Sequence, residues 1–295
     1  KRQNLTSIAD FIGARFGKAQ GLAALVTVIA TIGSVPYIAL QLKAVVGGFS
    51  IVSNYSVTGG AEYDTAFVVA SARAVFAILF GTSKIDVTEH PEGMMFAIAF
   101  ESVVKLFAFI AVGVFALLLL NDVSLPVSQS AARADELFRL DHIPDTFVTQ
   151  LILASAAILC LPRQFHVAIV EAHKDAHIQA ARWAFPLYLL IFTIFIVPIT
   201  LAGLKLLPTG VFTGDSFVLA LPMEHGNHWL TILAFLGGFS AATGMVIVAC
   251  VALSTMISNE IVMPALLRIK MLGLSERSDY SRLLIHVRRG AIVGI

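Results

Sequence analysis

The stretch from Trp229 to Met263 constrains the fold most, because it is 35 residues long and carries a single charge, that of Glu260. An α-helix rises about 1.5 Å per residue, so roughly 20 apolar residues cross the hydrocarbon core of a bilayer. The stretch therefore predicts a tilted transmembrane helix that extends beyond this core. Its first half is rich in small residues, which predict a face packed closely against neighbouring helices.

Three oxygen-bearing positions share one face of this predicted helix. Val251, Ser254 and Thr255 stand at i, i+3 and i+4. One backbone carbonyl and two hydroxyls in that arrangement suit a partly dehydrated hard cation such as Na⁺. Ser and Thr in membrane helices also commonly donate back to the carbonyl one turn earlier, which requires no ion. The spacing leaves both interpretations open.

The composition places the whole chain in a membrane. Hydrophobic residues make up 58% of it and charged residues 13%, against roughly 25% charged residues in typical soluble domains. The net charge of +1 gives no reason to expect a nucleic-acid partner. Cys160 and Cys250 lie in apolar runs at a spacing that predicts neither a metal site nor a disulfide. No cofactor is predicted.

Hydropathy and charge divide the chain into a short amphipathic segment and a series of spans. The segment at 1–18 is expected to lie at the cytoplasmic interface. Six spans follow, with the fourth broken near Pro162, and a further span is expected to begin at 285–295. They are predicted at about 19–50, 65–81, 93–120, 147–170, 183–204 and 229–263. Because the chain begins without Met and stops in an apolar run, we expect an internal piece of a longer protein.

The Lys and Arg residues outside the spans predict the orientation. Thirteen of them fall at one set of span ends and three at the other, and the side richer in Lys and Arg is expected to be cytoplasmic. The first set is Lys1, Arg2, Arg15, Lys18, Lys84, Lys174, Arg182, Arg268, Lys270, Arg277, Arg282, Arg288 and Arg289, and the second is Arg133, Arg139 and Lys205.

Polar residues inside the spans are candidate functional groups, because they are costly in hydrocarbon. Glu101 and Lys105 stand at i, i+4 and are expected to pair, either to fix helix packing or as part of an ion relay. Pro162 frees a backbone carbonyl at the break of the fourth span, and transporters bind substrate at such breaks. Arg163, Gln164 and His166 cluster there and predict either a substrate locus or a polar helix end.

Tyr37 and Gln41 on the first span, also at i, i+4, are further cavity candidates, although Tyr37 also fits an interfacial anchor. No paired acids or His–Glu motif within the spans indicate an intramembrane enzyme, so none is predicted for this segment.

Several stretches resemble the sodium:solute symporter family. SIADFIGARFGKAQ resembles the segment before that family's fourth transmembrane helix, and VALSTMISNEIVMP resembles its sodium-site helix, where an ST pair supplies two hydroxyl ligands. RQFH stands where proline-transporting members carry GQPH. More narrowly, KIDVTEHPEGMMFAIAFESVVKL and CLPRQFHVAIVEAH resemble the symporter-like input domains of sensor histidine kinases. The resemblance runs over essentially the whole chain.

The resemblance implies an all-α polytopic membrane protein with the LeuT-type inverted-repeat fold, here in part, with core helices three to eight. By position, Ser254 and Thr255 would bind Na⁺ through their hydroxyls and Val251 through its carbonyl, with other ligands on the absent first core helix. Tyr37, Gln41, Arg163, Gln164 and His166 would line the solute site. Ala157 and Leu161 replace a Trp and a Tyr of the proline transporters, which argues against proline as the solute.

The function expected from this resemblance is Na⁺-coupled binding of an amino acid or other small organic solute in a bacterial inner membrane. The partners would be Na⁺, the solute and the lipid bilayer. The domain would act as the sensing module of a histidine kinase, with a response regulator downstream, and the alternative is a stand-alone symporter without a kinase. The full-length chain would be an enzyme only in the first case.

Overall fold

The computed structural model describes residues 5–53, 92–122, 145–170, 175–208, 210–268 and 281–295, together with the single positions Val68 and Ser71. These residues are mainly helical and contain no β-strand. The structure thus confirms the prediction of an all-α protein. The predicted span at 65–81 lies almost wholly outside the described residues, and the predicted count of six spans stays a prediction.

At the majority of their ends, the helices match the predicted spans to within a few residues. The fourth predicted span is two helices, of which the second continues as a π-helix over His166–Val170. The sixth continues past Met256 as a π-helix over Ile257–Val262. The helices are α1 (Ile8–Arg15), α2 (Gln20–Ser53), α3 (Glu92–Asn121), α4 (Phe147–Cys160), α5 (Pro162–Phe165), α6 (Asp175–Leu206), α7 (Phe217–Glu224), α8 (His228–Met256), α9 (Met263–Arg268) and α10 (Ser281–Gly294).

Four helical stretches of the described chain are long and apolar enough to cross a membrane, and a bent pair makes a fifth. The four are Gln20–Val52, Met95–Asn121, His177–Leu206 and His228–Leu266. Large apolar side chains on them point outward, such as Ile32, which is 68% exposed, and Phe107, which is 64% exposed. Exposed apolar faces of this length are stable only in lipid, so the chain is a multi-pass membrane protein.

The break predicted at Pro162 is present. The helix Phe147–Cys160 and the segment Pro162–Val170 meet at 48°, because Leu161 is extended, with φ −70° and ψ 127°, and Pro162 opens the next helix. Proline has no N–H to donate to the preceding turn, and the residue before it avoids the helical conformation. Pro36 does not interrupt its helix, since α2 runs through it.

Helix α8 lies at the centre of the bundle and runs antiparallel to α2. A Cβ at Gly48 would lie 3.5 Å from the ring of Phe235, and Tyr37 contacts Met245. Further along, Ala23 packs in one cluster with Met256. The contacts move toward the end of α8 as they move toward the start of α2, so these two helices run in opposite directions.

Small residues let α3 and α8 approach closely, as the sequence predicted. A Cβ at Gly237 would lie 2.9 Å from the Cβ of Ala108, and Gly244 faces the carboxylate of Glu101. A larger side chain at either position would separate the helices. The pairing of 108 with 237 and of 101 with 244 makes α3 antiparallel to α8 as well.

Helix α1 is held against the bundle at the end where α8 becomes π-helical. The Ser7 hydroxyl accepts from the N–H of Asp10, which is an N-cap. The Asp10 carboxylate accepts from the N–H of Thr6, the residue before the cap. Ile8 and Ala9 are buried with Phe165 and Met256. Phe16, the residue after the last turn of α1, is 68% exposed. The apolar face of α1 therefore packs on protein at its first turn, where the sequence predicted only an interfacial segment.

Candidate functional site

The three oxygens predicted as sodium ligands lie together on the buried face of α8. The Ser254 hydroxyl donates to the carbonyl of Val251 at 3.0 Å, and the Thr255 hydroxyl donates to the same carbonyl at 2.9 Å. Ser254 is 1% exposed and Thr255 is 7% exposed. Two buried hydroxyls thus converge on one carbonyl, immediately before the π-helix that begins at Ile257.

Donation back to a carbonyl is common in this chain, as the second interpretation of the sequence expected. Thr27, Thr193 and Thr243 each donate to the carbonyl four residues earlier. The pair on α8 differs because both hydroxyls share one acceptor and both are buried. A hydroxyl that donates its proton to a carbonyl keeps its oxygen lone pairs for another partner, so the arrangement is compatible with cation binding.

The chemistry of the donors fits Na⁺ better than a transition metal. Within the described ranges no three His, Cys, Asp or Glu side chains come close enough together to hold a metal ion. Neutral hydroxyl and carbonyl oxygens are ligands that hard cations accept. The Val251 carbonyl already accepts two hydroxyls, so Ser254 and Thr255 carry the available lone pairs. Sodium ligation by these residues stays a prediction.

Tyr37 of α2 and Arg163 of α5, both predicted to line the solute site, are brought together. Nη1 of Arg163 donates to the Tyr37 hydroxyl, and the guanidinium carbon lies 4.4 Å from the centroid of the Tyr37 ring. Both side chains are half-buried. The hydrogen bond and the cation–π contact together fix the guanidinium beside the break in the fourth span.

Met245 completes this cluster, and no sequence pattern predicted its role. The Tyr37 hydroxyl donates to the Met245 sulfur at 2.9 Å. A thioether is a weak acceptor on an apolar side chain, so a methionine inside a hydrophobic run is expected only to pack against its neighbours. The contact orients the tyrosine, because a hydroxyl that donates to Met245 turns its lone pairs toward Arg163.

The other predicted solute residues are close to this cluster in the sequence. Gln41 lies one turn beyond Tyr37 and is half-buried, as is Gln164 next to Arg163. Within the described part of the chain, no hydrogen bond joins either amide to Tyr37 or Arg163. His166 is 8% exposed and opens the π-helix after α5.

The two polar clusters lie at different levels of α8. Met245 precedes Ser254 by nine residues, which corresponds to about 14 Å along the helix axis. The hydroxyl pair is therefore closer to the end of the bundle where α1 packs. Such a separation leaves room for a solute and an ion at different depths.

Glu101 and Lys105 form the ion pair predicted from their spacing. The Lys105 ammonium lies 3.7 Å from the Glu101 carboxylate, and the two side chains are 19% and 12% exposed, respectively. The carboxylate faces Gly244, while the hydroxyl of Tyr188 on α6 donates to the neighbouring carbonyl of Ser102 at 3.2 Å. The pair thus lies where α3, α6 and α8 meet.

Two cavities lie outside both clusters. One, of about 290 Å³, is bounded by α2, α3, α6, α7 and α8 and has an apolar wall with Lys105 and Asp215 as its charged residues. The other, of about 710 Å³, is polar and lies between α1, α2 and the π-helix after α8. Asp10, Lys18 and Glu260 line it. None of the predicted ligands of Na⁺ or the solute lines either cavity.

No family model, curated protein or solved structure matches this chain significantly. The resemblance to the sodium:solute symporters therefore rests on the motifs themselves. The two polar clusters and the broken helix are the structural features that bear on function.

Proposed function

We propose that this chain is part of a Na⁺-coupled, LeuT-type solute-binding domain that acts as the sensing module of a histidine kinase. The observation that supports it best is the buried pair of hydroxyls on one carbonyl, at Ser254 and Thr255. A second support is the cluster of Tyr37 and Arg163 at a bent, proline-broken span. Transporters of this architecture place ion and substrate at such irregularities near the bilayer midplane.

In this proposal the ion and the solute bind at different depths beside α8. Na⁺ lies between the hydroxyls of α8 and the first core helix of the fold, and it stabilises an outward-open arrangement. The solute binds beside the break after α4, next to Tyr37 and Arg163, and the two repeats then rock against one another. Differential affinity for the two arrangements is what couples binding to the conformational change.

A sensor uses the same change without requiring net transport. If a kinase follows the membrane domain, the population of the solute-bound arrangement sets its activity. The stretches KIDVTEHPEGMMFAIAFESVVKL and CLPRQFHVAIVEAH favour this reading over a stand-alone symporter. The richer set of thirteen Lys and Arg residues would then face the cytoplasm, on the side of the kinase.

The full-length protein, reconstituted in liposomes, tests the proposal. Solute uptake is measured with an inward gradient of Na⁺ and with the same gradient of choline, for a panel of amino acids and organic acids. Autophosphorylation is measured in parallel with and without Na⁺ and solute. Sodium-dependent uptake or sodium-dependent phosphorylation supports the proposal, and the second outcome identifies the sensor. The absence of both responses with every solute of the panel would overturn the proposal.

A further inference from the structure

Arg163 holds a positive charge at depth in the bundle. Helix α4 has 14 residues before the break, so a span that enters the hydrocarbon at Phe147 reaches the break about 21 Å along its roughly 30 Å thickness. The side chain is half-buried and packs against Tyr37, which stands near the middle of the 34-residue helix α2. A charged side chain at such a position normally has a partner or lines a water-filled path.

No partner of opposite charge is present in the part of the chain that the structure describes. The carboxylate of Glu101 pairs with Lys105, and no described Asp or Glu forms an ion pair with Arg163. The groups that do contact the guanidinium, the ring and the hydroxyl of Tyr37, are neutral. They orient the charge, but they leave it uncompensated.

The guanidinium also keeps donors for a further acceptor. Of its five N–H groups, Nη1 donates to Tyr37, and no described residue accepts from another. Arginine binds carboxylates and phosphates with two parallel hydrogen bonds. A solute with a planar anionic group would therefore supply both the missing charge and the missing acceptors.

We infer that the solute of the proposed site is a small organic anion with net negative charge, bound through its carboxylate by Arg163. Tyr37 is a positioning residue that holds the guanidinium, and Met245 fixes the Tyr37 hydroxyl. The inference rests on the proposed function for the existence of a solute site. It excludes sugars as the preferred solutes, because they carry no charge, and it disfavours zwitterionic amino acids, because their ammonium group brings a second positive charge beside Arg163.

The experiment measures binding to the purified full-length protein in nanodiscs of phosphatidylcholine, which supply no anionic headgroup. The probes are acetate and succinate, their uncharged amides acetamide and succinamide, the zwitterion proline, and glucose, each with Na⁺ and with choline. We expect binding of acetate or succinate and, at equal concentration, no binding of the amide, proline or glucose. Phosphatidylglycerol is then added to the nanodiscs. If it abolishes the anion binding, Arg163 binds lipid headgroups, and the inference is overturned.

Substitutions test which residues are responsible for the anion binding. Arg163→Gln is expected to weaken anion binding by roughly 30-fold or more, and Arg163→Lys to retain part of it, because charge remains but the two-donor geometry is lost. Tyr37→Phe keeps the ring and removes the hydroxyl, and should lower the acetate-to-acetamide selectivity, which a merely structural defect would leave unchanged. Arg182→Gln is the matched control, since the exposed Arg182 guanidinium lies 5.7 Å from the ring of Trp183.

The outcomes separate this inference from the proposed function. Sodium-dependent binding of proline or glucose that Arg163→Gln leaves unchanged would overturn the inference and leave the proposed function intact. Anion binding that needs Arg163 but ignores Na⁺ would support the inference and contradict the Na⁺ coupling. If Arg163→Gln does not fold, Arg163→Lys decides, and unchanged anion affinity in that variant would also count against bidentate recognition.

Discussion

The guanidinium of Arg163 lies over the ring of Tyr37, with 4.4 Å between the guanidinium carbon and the ring centroid. These residues are 126 positions apart in the chain, and the broken fourth span carries one of them to the middle of α2. The contact joins three helices, because Met245 of α8 accepts the Tyr37 hydroxyl. The candidate solute site is therefore an assembly of distant residues around a helix break, held by one cation–π contact and two hydrogen bonds.

The adjacent glycines of α8 provide a matched test of its packing on α3. In Gly237→Ala the new Cβ would lie 2.9 Å from the Cβ of Ala108, whereas at Gly238 it would meet no atom within 4 Å. Overpacking should cost Gly237→Ala about 1–3 kcal/mol, while Gly238→Ala should be neutral or slightly stabilising, because alanine favours a helix over glycine. Thermal denaturation in detergent compares the two. Equal melting temperatures would contradict the close contact of α3 and α8.

Removal of Lys105 tests whether its ion pair with Glu101 is structural. Lys105→Met leaves the carboxylate, which is 12% exposed, without its partner, at a cost of about 3 kcal/mol. The double variant Glu101→Gln with Lys105→Met removes both charges and should be more stable than the single variant.

Activity in the same double variant distinguishes packing from a relay. If the pair only fixes helix packing, the double variant retains Na⁺-dependent solute binding and uptake. Retained binding with complete loss of uptake would instead indicate that the pair carries an ion or a proton. Melting temperature and uptake are measured on the same preparations, so that a loss of folded protein is not mistaken for a loss of transport.

The cap of α1 should control the order of that helix alone. Ser7→Ala removes the hydroxyl that accepts from the N–H of Asp10, and the loss of such a cap costs about 1 kcal/mol. Hydrogen exchange should rise at the first amides of Ile8–Arg15, and Ser7→Thr should restore protection. Ser50→Ala, which removes an exposed hydroxyl bonded to Gly47, is the control. Unchanged exchange in α1 would show that its packing on Phe165 and Met256 suffices.

Local patterns in the sequence predicted the helices and the break. Hydropathy and length marked α2, α3, α6 and α8, because a helix that crosses lipid must be apolar over its whole length. Pro162 marked the break for a local reason, the loss of one N–H. The pairing of Glu101 with Lys105 also followed from spacing within one helix.

Those local patterns did not predict the contacts between helices. Nothing in the sequence paired Tyr37 with Arg163 or identified Met245 as an acceptor, since such contacts depend on how the helices are rotated and how deep they lie. The packing of α1 was missed for the same reason, because an amphipathic helix suits either a lipid surface or a protein groove. The Glu101 carboxylate against Gly244 likewise depends on the register of α3 and α8.

The sodium dependence of solute binding in Thr255→Ala tests the central claim most directly. Thr193→Ala is its control, because Thr193 makes the same 2.9 Å bond to a carbonyl but faces outward on α6. Solute binding is titrated with Na⁺ in the full-length protein at constant ionic strength. We predict that Thr255→Ala raises the Na⁺ concentration for half-maximal binding at least tenfold and that Thr193→Ala leaves it unchanged. A wild-type sodium response in Thr255→Ala would contradict the sodium site on α8.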